Sequence, residues 1–151
     1  MTYWIVVGGA VNYEIARDTP LDFFGFKSTR RREVGEMKPG DKLIFYLTGI
    51  MKFGGVARVT SEYFEDHARV FTSAKKPNED YPFRVRIEPE VLLPADAYVD
   101  VKEVAPRMEY IKKWPAEHWR LAFQGNLHQI PEVDYEMIRG EIEQAAKAGA
   151  R

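Results

Sequence analysis

The segment from residue 81 to residue 93 has the most regular alternation of side chains in the chain. Apolar residues at positions 83, 85 and 87 alternate with charged residues at positions 84, 86 and 88. A period of two is typical of a β-strand that buries one face and exposes the other. The pattern therefore predicts that the chain builds its core on a sheet.

Other segments predict further strands joined by turns. Tyr3–Val7 is an apolar, β-branched run and indicates a first, buried strand. Lys38–Asp41 has proline and glycine at the central positions of a type II turn, and it leads directly into a strand over Lys42–Leu47. Gly49–Gly55 is predicted to be a hairpin connection, and Gly55–Tyr63 is predicted to be the next strand.

Short helices are predicted between the strands. Asn12 is a candidate N-cap for a helix over Tyr13–Arg17. Pro20 ends that helix, because the residue before a proline avoids the helical region. A capping-box pattern at Asp100 begins another short helix over Val101–Ala105.

The C-terminal third is mainly helical in pattern. Pro115 suits the first position of a helix that runs through Phe123, and Gln124–Leu127 breaks it. Apolar positions 135, 138, 142 and 145 form one stripe of a final helix, which Gly149 ends. The pattern as a whole predicts an α+β fold: a small β-barrel or strongly curved sheet of about five or six mostly antiparallel strands, wrapped by short helices and followed by a C-terminal helix.

Composition excludes several classes of protein. The chain has 151 residues, no cysteine and a formal net charge of -1. Its length predicts a single domain over residues 1–151. The absence of cysteine excludes disulfides and thiolate sites, and the near-neutral charge argues against a protein that coats nucleic acid by charge alone. No membrane segment or signal peptide is recognised, so we expect a cytoplasmic protein with no membrane partner.

The sequence contains no recognisable catalytic motif. His67, His118 and His128 do not have metal-ligand spacing, and no two carboxylates stand out as an acid–base pair. Val7–Ala10 lacks the glycine spacing of a dinucleotide site. The sequence therefore predicts a non-enzymatic protein with no catalytic residue, no metal and no cofactor.

Aromatic and basic residues are the candidates for a binding site. Aromatic residues at strand ends and breaks are Trp4, Phe24, Phe26, Tyr46, Trp119 and Phe123. The apolar stretch Leu21–Phe26 fits neither the helical nor the strand period, and Phe24–Arg32 interleaves aromatics, a glycine, hydroxyls and four cations. Such a segment suits a nucleotide, because rings stack on a base, glycine allows close approach and cations receive phosphate. A buried aromatic core beside a solvated basic turn would give the same pattern.

An ordered set of motifs resembles the EVE-domain family over nearly the whole chain. The motifs are Thr2–Ile5, Phe24–Phe26, Met37–Leu43 with Tyr46, Gly54–Glu62, Trp119, Phe123–Leu127, Ile130–Glu132 and Asp134–Tyr135. The resemblance implies a PUA-like fold related to YTH and ASCH domains, with a small β-barrel wrapped by short helices. It also implies nucleic-acid binding, since several members of that group hold a modified base in an aromatic-lined pocket.

The resemblance implies positions for the pocket in this chain. Trp4 and Tyr46 are expected at the pocket, Phe24–Phe26 at its lip and Gln124–Asn126 at another side. The family commonly has Trp-Gly-Val where this chain has Phe24–Phe26, and phenylalanine stacks with less area and has no indole N–H.

The leading hypothesis is a module that binds DNA or RNA and recognises a modified base. Rings at positions 4, 24 and 46 would stack, cations at 27, 30 and 31 would meet the backbone, and polar groups at 28, 124 and 126 would meet the base edge. The candidate site comprises Trp4, Phe24, Gly25, Phe26, Lys27, Ser28, Thr29, Arg30, Arg31, Tyr46, Gln124, Gly125 and Asn126. A pocket for a free nucleotide or small anionic metabolite, an enzyme acting on RNA or nucleotides, and a plain structural module are the alternatives.

Overall fold

The computed structural model describes residues 1–19 and 22–149, so the predicted helix stop at Pro20 lies outside the described residues. The strands are β1 (Tyr3–Gly9), β2 (Phe23–Phe26), β3 (Lys42–Thr48), β4 (Lys52–Val59), β5 (Phe64–Glu65), β6 (Phe83–Leu92), β7 (Val99–Asp100) and β8 (Leu127–Ile130). The α-helices are α1 (Ala10–Asp18), α2 (Arg31–Gly35), α3 (Val101–Val104) and α4 (Glu132–Gly149). The 3-10 helices are Ser28–Arg30, Ala95–Ala97, Ala105–Arg107, Tyr110–Lys113 and Ala116–Phe123.

The strands form one mixed sheet that curls into a half-barrel. Its strand order is β2-β6-β4-β3-β1-β8, while β5 pairs with β6 and β7 pairs with β4. β1 and β3 run parallel, and the other pairings are antiparallel. The predicted α+β class, with a curved and mostly antiparallel sheet wrapped by helices, is therefore confirmed. No helix among the described residues is long and apolar enough to cross a membrane.

Two register shifts accompany the curvature of the sheet. One lies between Phe45 and Tyr46 in the β3–β4 pairing, and the other lies between Val56 and Ala57 in the β4–β6 pairing. An extra residue in one strand bends it and increases the local twist. The bulges help the sheet to curl, but β2 and β8, which lie at opposite ends of the strand order, do not pair with each other.

The central strands are buried on both faces. In β1, Trp4 and Val6 belong to one core cluster, which α1 and α2 also join, whereas Ile5 and Val7 belong to a second cluster with α3 and α4. β3 alternates between the two clusters in the same way. A strand that is buried on both faces has apolar residues at consecutive positions, which explains the composition of Tyr3–Val7.

The observed helix and strand ends correct some predictions in the first half of the chain. α1 begins at Ala10 with Gly9 as its N-cap, so Asn12 lies inside the helix and does not cap it. β4 starts at Lys52 and ends at Val59, so the predicted connection Gly49–Gly55 was too long. The type II turn is confirmed: Gly40 has a φ of 98°, and the turn closes through a backbone hydrogen bond of 3.0 Å.

The C-terminal third contains one strand that the sequence pattern missed. Ala116–Phe123 consists of 3-10 turns interrupted at His118, whose φ of -113° and ψ of 22° are not helical. Leu127–Ile130 pairs antiparallel with β1, where only a break was predicted. Phe23–Phe26 is likewise a strand, although Gly25 obscured its period. The final helix is confirmed as α4, and because Gly149 is the last described residue, the predicted end of the helix at Gly149 stays a prediction.

Candidate functional site

The open seam of the half-barrel contains a cavity of about 510 Å³, which we call the seam cavity. Four segments form most of its lining: Val6–Gly9 at the end of β1, Phe24–Lys27 in and after β2, Thr72–Lys75, and Phe123–Asn126 before β8. β2 and β8 are the first and last strands of the sheet and do not pair with each other. The cavity lies at the gap between these two unpaired edges. The structure thus brings the predicted segments 24–27 and 124–126 to one site.

The apolar part of the seam cavity is built on Phe24. This side chain is 6% exposed, and its ring centroid lies 5.0 Å from those of Phe45 and Phe71 and 5.5 Å from that of Phe26. Three neighbouring rings fix its orientation, since edge-to-face packing at these distances is favourable. Phe24 therefore gives the cavity a rigid apolar surface of small area.

The structure explains Gly25 by packing within the protein, whereas the sequence analysis explained it by close approach of a ligand. A Cβ atom at this position would lie 2.7 Å from the carbonyl oxygen of Tyr81 and 2.9 Å from Cδ2 of Phe71. The missing side chain lets β2 pack against the Tyr81 backbone. Close approach of a ligand is not needed to explain this glycine, although Gly25 does line the cavity.

Asn126 supplies a polar atom whose orientation is fixed. Its Nδ2 donates to the carbonyl oxygen of Val7 at 3.0 Å, and the Val7 N–H donates to the Asn126 carbonyl oxygen at 2.8 Å. A carbonyl can only accept, so the amide group cannot be flipped. Oδ1 of Asn126 is buried, and no described residue donates a hydrogen bond to it. Asn126 lines the seam cavity, so it is a candidate acceptor for a ligand N–H group.

His128 holds the loop that carries Asn126. Its Nε2 contacts the carbonyl oxygen of Gln124, and its Nδ1 lies 2.7 Å from Oη of Tyr110. Since the carbonyl can only accept, Nε2 carries the proton and Nδ1 accepts from the tyrosine hydroxyl. Burial lowers the pKa of His128; the Gln124 carbonyl opposes this, while Arg30 and nearby Lys113 lower the pKa further. A neutral imidazole therefore ties the loop to the 3-10 helix that contains Tyr110.

The opposite wall is tied down by Asn12. Its Nδ2 donates to the Thr72 carbonyl oxygen at 2.9 Å, and its Oδ1 accepts from the Thr72 N–H at 2.9 Å. The side chain of Asn12 in α1 therefore binds both the backbone N–H and the backbone carbonyl oxygen of Thr72. This pairing fixes the start of the Thr72–Lys75 segment.

Glu79 organises the segment that follows β2. Its carboxylate accepts from the Ser28 N–H at 3.1 Å, from the Ser28 hydroxyl at 2.9 Å and from the Tyr81 N–H at 3.0 Å. Ser28 is thus engaged by a protein carboxylate and does not line the seam cavity, unlike its predicted place at a base edge. Thr29 is exposed and also lies outside the lining.

Two lysines contribute positive charge to the cavity. Lys27 and Lys75 line it directly, and Lys75 is exposed. Arg30 makes a long contact of 3.7 Å with Glu33, and its buried Nε has no hydrogen-bond partner in the described part of the chain. Arg31 is exposed and does not line the cavity. Of the predicted cations, only Lys27 lines the cavity.

The predicted stacking positions of Trp4 and Tyr46 are corrected by the structure. Trp4 is 2% exposed, and its indole N–H donates to Oδ2 of Asp41 at 3.2 Å. Tyr46 is 3% exposed, and its ring stacks on Phe123 at a centroid distance of 4.7 Å. Neither residue lines the seam cavity, because both lie on strands that are covered on both faces. Of the three predicted stacking rings, only Phe24 reaches the cavity.

The sequence-based prediction missed several residues that position or line the site, among them Asn12, Lys75, Glu79, Tyr81 and His128. An asparagine inside a helix is unfavourable by propensity, so Asn12 carried a signal of a tertiary partner. Glu79 and Lys75 looked like parts of an ordinary polar loop. Tyr81 is half-buried, whereas the other three rings that line the seam cavity are buried, so Tyr81 is the better candidate for stacking.

The fold is similar to that of YTH domains of known structure. The YTH domain of Mmi1, solved in complex with RNA, matches with a TM-score of 0.64 and 13% identity over 97% of this chain and 80% of that chain. The YTH domain of the Zygosaccharomyces rouxii MRB1 protein, solved in complex with N6-methyladenosine RNA, matches with a TM-score of 0.64 and 12% identity over 93% of this chain and 83% of that chain. At these identities, the likeness shows a shared fold.

The family follows from sequence. The EVE domain family model matches residues 2–140. UPF0310 protein PH1033 of Pyrococcus horikoshii is 29% identical over 148 residues, a match that covers 91% of this chain and 97% of that protein. The chain belongs to the EVE domain family, and the resemblance stated from its motifs is confirmed.

Proposed function

We propose that this chain is a non-enzymatic module that binds DNA or RNA and holds one base in the seam cavity. The observation that carries the proposal is the joint presence of an apolar surface, a buried acceptor without a partner and two lysines around one cavity. A nucleotide has the matching parts: an apolar ring face, N–H groups on the ring edge and an anionic backbone.

The Asn126 acceptor selects base edges that present a donor. The hydrogen bond to Val7 leaves Oδ1 free to accept, so it pairs with an exocyclic amino group or a ring N–H. A base that lacks a donor at this position leaves the acceptor buried and unpaired. Such a mismatch costs about 1–3 kcal/mol, which is enough to discriminate between bases.

Ring contacts supply the remaining affinity within the cavity. Tyr81 is half-buried at its edge, and Phe24 contributes a small apolar surface. Stacking on an aromatic side chain is worth about 1–3 kcal/mol per base. Extraction of a base from single-stranded nucleic acid costs least, so we propose a single-stranded target.

A methyl group on the base fits this chemistry. An N6-methyladenine keeps one N–H for the Asn126 acceptor, and its methyl group gains about 0.8 kcal/mol from an apolar wall such as Phe24. The MRB1 YTH domain, which shares the fold, was solved with RNA that contains this base. We therefore propose N6-methyladenine as the first modified base to test.

Fluorescence anisotropy with labelled single-stranded RNA and DNA of about ten nucleotides tests the proposal. Strands with one N6-methyladenine are expected to bind about fourfold more tightly than strands with adenine. The double variant Lys27→Gln, Lys75→Gln is expected to reduce the slope of log affinity against log salt by about 1.4, or about 0.7 per lost phosphate contact. Lys147→Gln, an exposed lysine on α4, is the matched control and is expected to leave the slope unchanged.

Two results contradict the proposal. If none of the strands binds at low salt, the chain is not a nucleic-acid-binding module. If mononucleotides raise the melting temperature of the wild-type protein but not that of Tyr81→Leu, while the strands do not bind, the seam cavity is a site for a free nucleotide, which was one of the alternatives from sequence.

A further inference from the structure

A second cavity, of about 530 Å³, lies between α3 and the 3-10 helices that follow it, and we call it the indole cavity. Its lining includes Trp114 and Trp119, the two lysines Lys102 and Lys112, and four small or aliphatic residues. The lining contains none of the residues that line the seam cavity. The volume falls within the range of about 300–1,000 Å³ that is usual for small-molecule sites.

The two tryptophans leave indole surface available. Both are half-buried, and each is packed edge-on against one neighbouring ring: Trp114 against Tyr110 at 5.3 Å and Trp119 against Phe123 at 6.1 Å between centroids. Among the described residues, neither indole N–H donates a hydrogen bond, whereas the indole N–H of Trp4 is bonded to Asp41. The guanidinium carbon of Arg120 lies over the Trp119 ring, 5.3 Å from its centroid, so Arg120 covers one of the two faces of that ring. The cavity is lined by the remaining indole surface, together with two N–H groups that donate to no described residue.

The charge around the indole cavity has one sign. Among the described residues that line the cavity, the two charged ones are both lysines. Lys112 pairs with Glu109 outside the lining at 3.0 Å. Lys102 is exposed, and its Nζ has no carboxylate within ion-pair distance in the described part of the chain. Since Lys112 is already paired and Lys102 has no carboxylate partner among the described residues, this rim favours a ligand that carries one negative charge.

We propose that the indole cavity binds a small planar ring system that carries one anionic group. The ring contacts the faces of Trp114 and Trp119, and the anionic group lies at Lys102. A free aromatic carboxylate and a mononucleotide share this chemistry. The proposal is independent of nucleic-acid binding at the seam cavity, because the two linings have no residue in common.

The three indole N–H signals in a proton–nitrogen NMR spectrum give a direct test, because the chain has only three tryptophans. Titration with naphthalene-2-carboxylate is expected to shift two signals in a saturable way and to leave that of Trp4 unchanged, since Trp4 lies in the core. Trp114→Phe and Trp119→Phe assign the two signals. A parallel titration with adenosine monophosphate distinguishes the mononucleotide from the aromatic acid as the ligand.

Charge and ring contributions are separated by two further comparisons. Lys102→Gln and the neutral naphthalene-2-carboxamide are each expected to weaken binding about threefold, as loss of one exposed charge contact does. Lys38→Gln removes an exposed lysine outside the cavity and is expected to change nothing. The proposal is overturned if neither anion produces a saturable shift at millimolar concentration, if the carboxamide binds as tightly as the carboxylate, or if the Trp4 signal shifts as much as the other two.

Discussion

The seam cavity and the indole cavity have nearly the same volume, but their walls are held in different ways. Around the seam cavity, Asn12, Glu79 and Asn126 each bind the backbone of another segment with their side-chain atoms. Around the indole cavity, short 3-10 helices and ring packing form the wall. Hydrogen-bonded walls fix acceptors and donors in space and favour selectivity, whereas apolar walls offer area to any ring of suitable size.

The positions of the aromatic residues sharpen this contrast. Phe24 at the seam cavity is almost fully buried, while Trp114 and Trp119 at the indole cavity are half-exposed. Aromatic richness in the sequence therefore does not identify the cavity whose walls are held by hydrogen bonds. The buried polar residues identify it, because a buried side chain that binds backbone in another segment positions that segment.

The largest expected effect tests how tightly the seam cavity is built. Gly25→Ala places a methyl group 2.7 Å from the Tyr81 carbonyl oxygen, and backbone cannot move aside cheaply. We expect a loss of about 3 kcal/mol in the free energy of unfolding, measured by urea denaturation. Gly140→Ala is the control, because nothing lies within 4 Å of its Cβ position and the helix gains about 0.5–1 kcal/mol. Equal stability of Gly25→Ala and the wild-type protein would mean that β2 is not packed as described.

A smaller effect is expected when the Glu79 carboxylate is altered. Glu79→Gln replaces one acceptor oxygen with an amide nitrogen that cannot accept from Ser28 or Tyr81. A buried N–H left without a partner costs about 1–3 kcal/mol, again measured by urea denaturation. Glu88→Gln removes a carboxylate from an exposed pair with Arg58 and is expected to cost less than about 1 kcal/mol. If the two variants lose equal stability, the Glu79 contacts do not hold the wall.

Ring contact at the seam cavity is tested by Tyr81. Tyr81→Leu removes the half-buried ring and is expected to weaken binding to single-stranded nucleic acid about tenfold, as loss of one stacking contact does. Tyr81→Phe keeps the ring and is expected to bind within about twofold of the wild-type protein. Fluorescence anisotropy measures both affinities. Similar affinities for Tyr81→Leu and the wild-type protein would place the base away from this ring.

The smallest effect is a difference in pH dependence between two histidines. Burial lowers the pKa of His128, so its contribution to stability is full above the unfolded-state pKa of about 6.5 and is lost as pH falls through the folded-state pKa. A hydrogen bond to Glu65 and another to Asp80 raise the pKa of His67, so its contribution is full below about 6.5 and is lost as pH rises through the folded-state pKa.

Urea denaturation of His128→Gln and His67→Gln between about pH 5 and pH 8 measures this difference, since the two histidines titrate on either side of about 6.5. The stability lost in His128→Gln should increase with pH and level off above about 6.5. The stability lost in His67→Gln should decrease over the upper part of the same range. Parallel curves for the two variants would show that His128 is not the buried, neutral tether of the Gln124 loop.

Sequence patterns predicted the elements whose signals are local. The strand over Phe83–Leu92, the Lys38–Asp41 turn and the stripe of the final helix have signals in neighbouring residues, and the structure contains all three. The alternation itself fails at Arg84, which was expected on the exposed face but is buried. β8 was missed because a four-residue strand carries too few residues to show a period. Trp4 was misplaced because a strand buried on both faces presents the same residues as one that exposes a binding ring.

In the candidate site, too, two lining segments were predicted from sequence, whereas the long-range contacts that hold the walls were not. Phe24–Lys27 was predicted from its mixture of rings, glycine and cation, and Gln124–Asn126 from the family resemblance; the structure brings both segments to the seam cavity. The tethers from Asn12 to Thr72 and from Glu79 to Ser28 connect residues 60 and 51 positions apart. No local pattern encodes such a pairing, since it depends on how the sheet curls.

The measurement that most directly tests the central claim compares two single strands of equal length and charge. One strand is abasic at every position, and the other carries a single N6-methyladenine in an otherwise abasic backbone. Because both present the same phosphates, a base held in the seam cavity predicts that the second strand binds about tenfold more tightly, and that Tyr81→Leu removes most of this difference. Equal affinity of the wild-type protein for the two strands would contradict the claim, because binding would then depend on the backbone alone.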